Sequence, residues 1–317
     1  MSTVHSWPEG IAGGRRLLVA ASTGGHLDEM VRLSDSLAMN VDSVWVTFDT
    51  PQSRSLLAGK NVVYIDYVSP RDVRAALAGA RAMRAHLKRD ADFDAAISTG
   101  SGIALSVLPV TRLHGIDSLY VESACRFDGP SMTGKILSRV PGVSCLSPGQ
   151  IWSKQWGPGP SVFGRFEVQA AKSSQSPRIL VSLGTIRPYR FDALVDSVGA
   201  TGLADDNTVW QLGATDRADL DGMAVAELST ADFDQAIDEC DVVITHAGIG
   251  NVLRILDKGK VPVVVPRRRA RGEHVDDHQL ELCKTLTQSG IGVVCEPEDL
   301  TAETILSAGA RKVVRVA

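Results

Sequence analysis

The feature that most constrains the fold of this chain is a regular alternation of short apolar runs with segments of helical apolar spacing. The runs at 15–21 and 261–265 have the length of a strand and lack the apolar–polar alternation of a half-exposed one, as expected of strands buried on both faces. Strand and helix alternate in both halves of the chain. This order predicts parallel sheets covered by helices on both faces, which is the α/β class.

The alternation restarts after a polar region in the middle of the chain. Two stretches rich in Gly, Pro and Ser, at 156–161 and 172–177, indicate a linker. We therefore predict two Rossmann-like βα domains, at 1–165 and 166–317, facing each other across a cleft at the carboxyl ends of the sheets. The predicted strands lie at 15–21, 42–48, 61–66, 94–98, 118–122, 143–147, 178–183, 208–212, 241–245, 261–265 and 291–295. The predicted helices lie at 27–38, 72–87, 102–113, 191–198, 232–239, 251–257 and 276–287.

Composition excludes several classes of protein. The 317 residues suffice for about two domains, and the five cysteines are scattered, which argues against a disulfide framework or zinc site. No apolar run approaches the roughly 18 residues of a membrane span, and the first ten residues do not resemble a secretory signal, so we expect a cytoplasmic protein. Residues 1–165 carry 17 Lys and Arg against 14 Asp and Glu, whereas residues 166–317 carry 16 against 23. The mildly basic first half suits an anionic lipid surface, and no nucleic-acid partner is expected.

Two glycine-rich loops follow predicted strands and open predicted helices, at 22–26 and 245–251. Because glycine lets the backbone approach a ligand and a helix N-terminus presents unpaired N–H groups, both loops are candidate anion sites. Neither completes the dinucleotide-binding pattern G-x-G-x-x-G, since Leu253 stands where the third glycine of the second loop would be. His26 lies beside the first anion site, where an imidazole can act as a general base. A tight turn with a capping histidine explains the same residues.

A polar loop of fourteen residues, at 266–279, carries four arginines, two histidines, three acids and a glutamine. His274, Asp277 and His278 are a possible metal-binding set, but no further ligands accompany them, and no metal is expected. Carboxylate and amide groups suit the hydroxyls of a sugar, and arginine suits phosphate. A solvated basic loop is the other interpretation of Arg267–Arg269.

Glu122 and Arg126 follow another predicted strand of the first half. Near the cleft they would orient a base or hold a pyrophosphate. A structural ion pair is an equally good interpretation of the two residues.

The second half resembles the C-terminal domain of glycosyltransferase family 28, which has the GT-B fold. The resemblance rests on the motifs at 181–185, 210–213, 241–248, 259–260 and 272–279. The first half resembles the acceptor-side partner of that group at 22–30, 98–100, 121–126 and 131–135. Together the halves resemble a single-chain fusion of the two-subunit N-acetylglucosaminyltransferase that acts on dolichol-pyrophosphate sugars, and its bacterial exopolysaccharide relatives.

This resemblance implies an inverting, metal-independent transfer of a hexose from a UDP-sugar to a polyprenyl-pyrophosphate-linked sugar, in exopolysaccharide or cell-wall glycan assembly. The UDP-sugar is a co-substrate and no cofactor is implied. The donor site would contain Gly184, Thr185, His246, Ala247, Gly248, Gly250, Asn251, Glu273, Asp277, His278 and Gln279. The acceptor would contact Gly24, Gly25, Ser123 and Arg126, and the catalytic residues would be His26 and Glu122.

A lipid-linked acceptor implies peripheral contact with the inner face of the cell membrane. The candidate surface is the basic stretch Arg71, Arg74, Arg81, Arg84, Lys88 and Arg89, for which a solvated helix face is the alternative. Arg254 stands where muramyl-type relatives carry a ribose-binding Glu, so this contact would move, with Glu273 as the candidate, or the donor differs.

Three other functions stay open, as does homo-oligomerisation. A UDP-sugar 2-epimerase-like isomerase would share the architecture. A nicotinamide oxidoreductase would use Asp49, about 25 residues after Gly24, as the ribose-binding acid. A non-catalytic sugar-nucleotide-binding subunit would need a partner enzyme.

Overall fold

The computed structural model describes residues 7–8, 11, 13–69, 72–148, 152–172 and 174–316. The described residues divide into two compact units, with the boundary between Gly164 and Arg165. Each unit contains a parallel sheet with helical connections, so the prediction of two Rossmann-like α/β domains is confirmed. No helix in these ranges is long and apolar enough to cross a membrane.

The first unit is built on a seven-stranded sheet in the order β3-β2-β1-β4-β5-β6-β7, in which neighbouring strands pair in parallel. The strands are β1 (Leu17–Ala21), β2 (Val44–Phe48), β3 (Asn61–Ile65), β4 (Ala95–Gly100), β5 (Asp117–Val121), β6 (Val143–Pro148) and β7 (Trp156–Gly159). The helices are α1 (Gly25–Ser34), α2 (Pro51–Leu56), α3 (Val73–Leu87), α4 (Gly102–Leu113) and α5 (Met132–Leu137). The strand order reverses direction between β1 and β4, which is where such sheets bind ligands.

The second unit repeats this order in a six-stranded sheet, β11-β10-β9-β12-β13-β14, with the reversal between β9 and β12. The strands are β9 (Ile179–Ser182), β10 (Val209–Gln211), β11 (Met223–Val225), β12 (Val242–His246), β13 (Val263–Val265) and β14 (Val293–Val294). The helices are α6 (Asp192–Ala200), α7 (Thr230–Glu239), α8 (Ile249–Asp257), α9 (Gln279–Ser289) and α10 (Ala302–Gly309). Strands β8 (Phe166–Ala170) and β15 (Arg311–Arg315) form a separate antiparallel pair.

The apolar runs are strands because both of their faces are covered. In β9, Val181 packs on one face of the sheet with Phe191, whereas Leu180 packs on the other face with Phe233. Every side chain of β1 is fully buried. Burying a residue of this size stabilises the fold by about 1.5–3 kcal/mol, so a run of them fixes the strand without an amphipathic pattern.

One part of the predicted linker is wrong. The stretch that begins at Trp156 is not a linker, because Trp156–Gly159 forms β7 and pairs with β6 at the edge of the first sheet. The Trp156 ring is buried and contacts the rings of Tyr120 and Trp152 edge-on. An edge strand tolerates Pro158, and burial of the tryptophan outweighs the turn-forming composition. The sequence analysis also missed α2, α5, β8, β11, α10 and β15.

Candidate active site

The first candidate site lies at the carboxyl ends of β1 and β4 in the first unit. Helix α1 begins at Gly25, and its N-cap, Gly24, has a φ of +91° that favours glycine. Among the described atoms, none lies within 4 Å of a Cβ built on Gly24, so its backbone is open to a ligand. Gln52 on α2 fixes this peptide, because its Oε1 accepts a hydrogen bond from the Gly24 N–H at 2.6 Å. The predicted acceptor loop at 24–25 therefore has the geometry of a helix N-terminus that can bind an anion.

His26 is the second residue of α1, and 31% of its side chain is exposed. Its Nδ1 is buried and lies 3.8 Å from Oε2 of Glu29, one helical turn along. Burial lowers the pKa of His26 to about 4, and the charge of Arg126 acts in the same direction, while a backbone contact with Thr99 opposes both. The imidazole is therefore neutral near pH 7, as a general base must be.

Glu29 is the acid that the sequence analysis left without a role. Its side chain is buried, and its Oε1 accepts hydrogen bonds from the Ser123 hydroxyl at 3.0 Å and from the Ala124 N–H at 2.9 Å. Burial raises the pKa of Glu29 to about 8, and the charges of Glu122 and Asp28 add to this rise. The signal in the sequence was the three-residue spacing from His26, which places both side chains on one face of α1.

Within the described part of the chain, two buried atoms of this pair, His26 Nδ1 and Glu29 Oε2, have no hydrogen-bond partner. The hydroxyl of Ser22, at the start of the same loop, is buried and unpartnered as well. Buried polar atoms of this kind are rare in folded proteins, because each costs about 1–3 kcal/mol. Their grouping in the loop and first turns of one helix makes this region a candidate binding site.

The loop between β4 and α4 lies against this histidine. A Cβ added to Gly100, whose φ is +113°, would lie 3.4 Å from His26 Cε1 and 2.9 Å from the Tyr120 hydroxyl. The next residue, Ser101, has a φ of +65°, which is unusual for a residue with a side chain. Strained backbone of this kind clusters at functional sites.

Glu122, the second predicted catalytic residue, is buried in a hydrogen-bond network. Its Oε1 accepts from the Tyr120 hydroxyl at 2.9 Å and from the Ser123 N–H at 3.2 Å, and its Oε2 accepts from the Ser131 N–H at 2.8 Å. Ser131 is the N-cap of α5. These contacts tie the end of β5 to the start of α5, so the geometry argues for a structural role and against direct proton transfer by Glu122.

The two predicted acceptor ligands on this segment differ in their surroundings. Ser123 is buried and its hydroxyl is engaged by Glu29. Arg126 is half-buried and lies close enough to His26 for its charge to lower the pKa of the imidazole. A cation beside the α1 N-terminus adds to the positive potential that favours an anion there.

The second candidate site lies at the carboxyl ends of β9 and β12, and its glycines surround a histidine. A Cβ on Gly184, whose φ is +78°, would lie 2.5 Å from His246 Cε1, and a Cβ on Gly248 would lie 2.4 Å from its Nε2. These two glycines therefore make room for the imidazole of His246. The ring fills the space beside both α-carbons, and diphosphate binding through the backbone of these glycines stays a prediction. Burial lowers the pKa of His246 to about 3, and the charge of Arg267 acts in the same direction.

Arg267 is fully buried, so its assignment to a solvated basic loop is wrong. Its guanidinium donates to four backbone carbonyls at 2.6–3.2 Å, those of Leu183, Tyr189, Arg190 and Glu273. It also lies over the Phe191 ring, 4.9 Å from the centroid. Burial lowers the pKa of Arg267 to about 10. The arginine holds the loop after β9 against the loop after β13 by bonds that a lysine cannot reproduce.

Two of the predicted donor ligands, Glu273 and Gln279, hold the backbone of the loop after β13. Oε2 of the buried Glu273 accepts from the Arg268 N–H at 2.9 Å and from Arg271 Nε at 3.0 Å. Oε1 of the buried Gln279 accepts from the Arg267 N–H at 2.9 Å. Both side chains therefore fix the loop backbone, and a ribose contact by Glu273 stays a prediction.

Asp277 and His278 are exposed, and Oδ1 of Asp277 accepts a hydrogen bond from the Arg269 N–H at 3.0 Å. Asp276, rather than Asp277, lies between the two histidines of the loop, 3.1 Å from His274 Nδ1 and 3.5 Å from His278 Nε2. In the part of the chain that the structure describes, no group of three or more His, Cys, Asp or Glu side chains is arranged to hold a metal ion.

The remaining predicted donor residues lie at the N-terminus of α8. Gly248 is its N-cap, and Gly250 and Asn251 lie in the first turn, after the buried Ala247. The Asn251 side chain donates to the Ser182 hydroxyl at 3.0 Å, and Thr185 is exposed. The first-turn amides have the orientation that binds a diphosphate. Arg254 pairs with Asp234 at 3.2 Å, so it fixes α8 to α7.

Comparison with known proteins agrees with this architecture. Residues 200–312 match the glycosyltransferase family 28 C-terminal domain. A curated relative, the UDP-N-acetylglucosamine transferase subunit ALG13 of Cryptococcus neoformans var. neoformans serotype D, is 30% identical over 128 residues. That alignment covers 39% of this chain and 62% of the relative, so the match spans less than two thirds of the relative's length.

Solved structures match nearly the whole chain at low sequence identity. MurG of Acinetobacter baumannii is 20% identical with a TM-score of 0.59, and the match covers 92% of this chain and 89% of MurG. A putative UDP-N-acetylglucosamine 2-epimerase of Listeria monocytogenes is 12% identical with a TM-score of 0.53, covering 93% of this chain and 92% of the epimerase. The chain therefore has the GT-B fold, and its second unit carries the sequence pattern of the glycosyltransferase family 28 C-terminal domain.

Proposed function

We propose that this chain is an inverting glycosyltransferase that moves a hexose from a UDP-sugar to a polyprenyl-pyrophosphate-linked sugar, in exopolysaccharide or cell-wall glycan assembly. The observation that carries the proposal is the neutral, partly exposed imidazole of His26 at an open helix N-terminus, where the strand order of the first sheet reverses. The family match of residues 200–312, and the relative named as a UDP-N-acetylglucosamine transferase subunit, support UDP-sugar chemistry.

The reaction needs one base and one stabilised leaving group. His26 takes the proton of the acceptor hydroxyl as that oxygen forms its bond to the anomeric carbon. The bond from this carbon to the UDP oxygen breaks, and UDP leaves with the electron pair, so the configuration is inverted. The amides at the α8 N-terminus and the helix dipole stabilise the charge on the departing diphosphate. The exposed Thr185, Asp277 and His278 complete the proposed donor site.

The acceptor side of the proposal uses the α1 N-terminus and the surface of α3. The amides after Gly24 and the charge of Arg126 would receive the acceptor pyrophosphate. On α3, the side chains of Val73 and Leu77 are exposed, by 69% and 53%, on the helix that carries the basic residues Arg74, Arg81 and Arg84. Exposed apolar side chains beside cations suit the interface of an anionic membrane. Arg71 of the predicted basic stretch lies outside the described residues.

The relatives that the chain matches in sequence include subunits, which favours a second candidate, a sugar-nucleotide-binding subunit that needs a partner enzyme. Thermal unfolding of the purified chain with UDP, a panel of UDP-hexoses and NAD(P) separates the candidates. A shift with UDP-sugars followed by transfer to a polyprenyl-pyrophosphate sugar supports the transferase. Donor binding without transfer supports the subunit, and free sugar released without acceptor supports an epimerase.

The variant His26→Ala tests the base. We expect turnover to fall about 10²–10⁴-fold, the usual contribution of a general base, while the affinity for the UDP-sugar is unchanged. His114→Ala is the matched control, because that histidine caps the C-terminal end of α4, where its Nδ1 lies 2.9 Å from the Val110 carbonyl oxygen. Turnover of His26→Ala equal to that of the control would remove His26 as the base.

A further inference from the structure

We infer that Glu29 is a positioning residue that decides which nitrogen of His26 carries the proton, and so whether His26 can act as a base. The inference rests on the proposed function for its kinetic consequence. The inference goes beyond the proposed function because it assigns a role to a buried acid that does not contact the substrate. The geometric evidence is that His26 Nδ1 and Glu29 Oε2 face each other 3.8 Å apart.

The two oxygens of Glu29 are not equivalent. Oε1 is fixed by two donors, the Ser123 hydroxyl and the Ala124 N–H. Oε2 faces the imidazole and, within the described residues, has no hydrogen-bond partner. A proton on Glu29 therefore belongs on Oε2, since a proton on Oε1 would meet two donors. The distance of 3.8 Å exceeds a hydrogen bond, and catalytic bonds commonly tighten when substrate binds.

The protonation state of Glu29 then selects the histidine tautomer. When Glu29 is protonated, its O–H donates to Nδ1, the ring carries its own proton on Nε2, and Nε2 cannot accept another. When Glu29 is ionised, it accepts from Nδ1–H, and the lone pair of Nε2 is free to take the proton of the acceptor hydroxyl. One proton leaves Glu29 between the two states, and the ring stays neutral in both.

Burial favours the protonated acid and the neutral ring. The hydrogen bonds from Ser123 and Ala124 stabilise the charged form of Glu29, whereas Glu122, just after β5, and Asp28, on α1, repel it. Arg126, on the segment after β5, repels a charged His26, whereas the backbone of Thr99, near the end of β4, stabilises it. With a pKa of about 8 for Glu29, the base-competent form increases as the pH rises through that value.

Glutamine at position 29 mimics the protonated acid. Its carbonyl oxygen must take the place of Oε1, because the Ser123 and Ala124 donors require an acceptor there. Its NH₂ then faces Nδ1 and holds the ring in the tautomer whose Nε2 carries the proton. Alanine removes the side chain and leaves the two tautomers free to exchange. The isosteric variant is therefore predicted to be the more damaging one, the reverse of what a purely structural role would give.

The kinetic test compares Glu29→Gln and Glu29→Ala with the wild-type chain, using UDP-sugar and a lipid-pyrophosphate sugar acceptor. We expect kcat to fall about 10²-fold or more in Glu29→Gln and about tenfold in Glu29→Ala, with the KM for the donor unchanged. The wild-type kcat should rise with an apparent pKa near 8, and both variants should lose that rise. Glu303→Gln, on the first turn of α10, is the control for the assay. A Gln variant as active as the Ala variant, or one that keeps the alkaline rise, would overturn the inference.

Nitrogen-15 NMR of the imidazoles shows which ring nitrogen of His26 carries the proton, and it does not require turnover. The His26 signals are identified by their loss in His26→Ala. We expect Nε2–H below the pKa of Glu29, Nδ1–H above it, and Nε2–H at every pH in Glu29→Gln. If the wild-type chain transfers no sugar but shows this switch, the proposed function fails and the inference about the tautomer stands. If it transfers sugar and the tautomer does not follow Glu29, the inference alone is wrong.

Discussion

Each unit places a histidine beside the reversal of its strand order, after β1 in the first unit and at the end of β12 in the second, yet the surroundings make the two imidazoles different groups. His26 follows β1, is partly exposed, and faces an acid across 3.8 Å. His246 ends β12 and lies between the backbones of Gly184 and Gly248, with the buried cation Arg267 nearby. Both pKa values are lowered by burial, to about 4 and about 3.

The comparison teaches that a glycine–histidine loop after a buried strand does not specify a function. In the first unit the backbone of Gly24 is open, and we infer that the facing acid, Glu29, decides which nitrogen of the ring carries the proton. In the second unit the ring fills the space beside the glycines. Both rings have a cation nearby that lowers the imidazole pKa, Arg126 in the first unit and Arg267 in the second. We expect the imidazole between the glycines to shape its loop, and the imidazole that faces an acid to exchange protons with a substrate.

Removal of the buried cation should have the largest effect on the second unit. Arg267→Ala leaves the four carbonyls that it binds without this donor, at about 1–3 kcal/mol for each one that water does not reach. We expect a loss of at least about 3 kcal/mol in the free energy of unfolding, measured by amide hydrogen exchange in β9 and β12. Exchange in β1 and β4 serves as an internal reference, and the exposed Arg269→Ala as the matched control, with an effect within about 0.5 kcal/mol. Equal effects of the two variants would contradict the assignment.

Replacing one glycine of each loop by alanine tests whether the neighbouring histidine fills the space beside it. Gly248→Ala should destabilise the second unit by about 1–3 kcal/mol, because the added carbon overlaps the His246 ring, and His246→Ala in the same chain should relieve that cost. Gly24→Ala should cost about 1–3 kcal/mol through its φ of +91° alone, so His26→Ala should relieve nothing. Thermal unfolding of the single and double variants measures both couplings. Absence of coupling between positions 246 and 248 would contradict the enclosed ring.

The smallest expected effect is on the pH dependence of the free energy of unfolding, to which His246 and Glu29 contribute with opposite signs. His246 has a pKa of 6.5 when unfolded and about 3 when folded, so the unfolded chain binds more protons between these values. Its stabilising contribution is complete above pH 6.5 and is lost as the pH falls towards 3. Glu29 has a pKa of 4.5 when unfolded and about 8 when folded, so its contribution is complete below pH 4.5 and is lost as the pH rises through 8.

From pH 6.5 to 8 the first unit should therefore lose stability while the second stays constant, with a slope of at most about 1.4 kcal/mol per pH unit. Hydrogen exchange in β1 and in β12 follows the two units separately. Glu29→Gln should abolish the slope in β1, because the amide does not titrate. A slope that persists in this variant would show that another group carries it.

Much of the fold could be predicted from the sequence, for a simple physical reason. Strands such as β1 and β9 are buried on both faces, so their residues are apolar without interruption, and the pattern is local. The edge strand at Trp156 could not be predicted, because Trp156 packs against Tyr120 of β5, which is close in space but far away in the sequence. Its Gly and Pro residues indicate a turn when they are considered alone.

The candidate site was predictable only in part. Because the glycine-rich loops follow parallel strands, the positions of Gly24, His26 and His246 follow from the strand assignments alone. Glu29 lies on α1 and Glu122 follows β5, and nothing local distinguishes a carboxyl with all its oxygens hydrogen-bonded from one with an unpartnered oxygen. That distinction depends on Ser123 and Ser131, whose donors reach the two acids from other elements.

The sequence by itself determined the two Rossmann-like units, the strand-to-helix glycine loops and the placement of two histidines on them, because apolar runs and glycine act through local backbone preference and burial. Only the tertiary structure decided which loop is open, which acid faces His26, and that Arg267 is a buried clamp. These depend on which atoms meet across elements far apart in the chain, where burial and hydrogen-bond partners set both the charge and the role of each side chain.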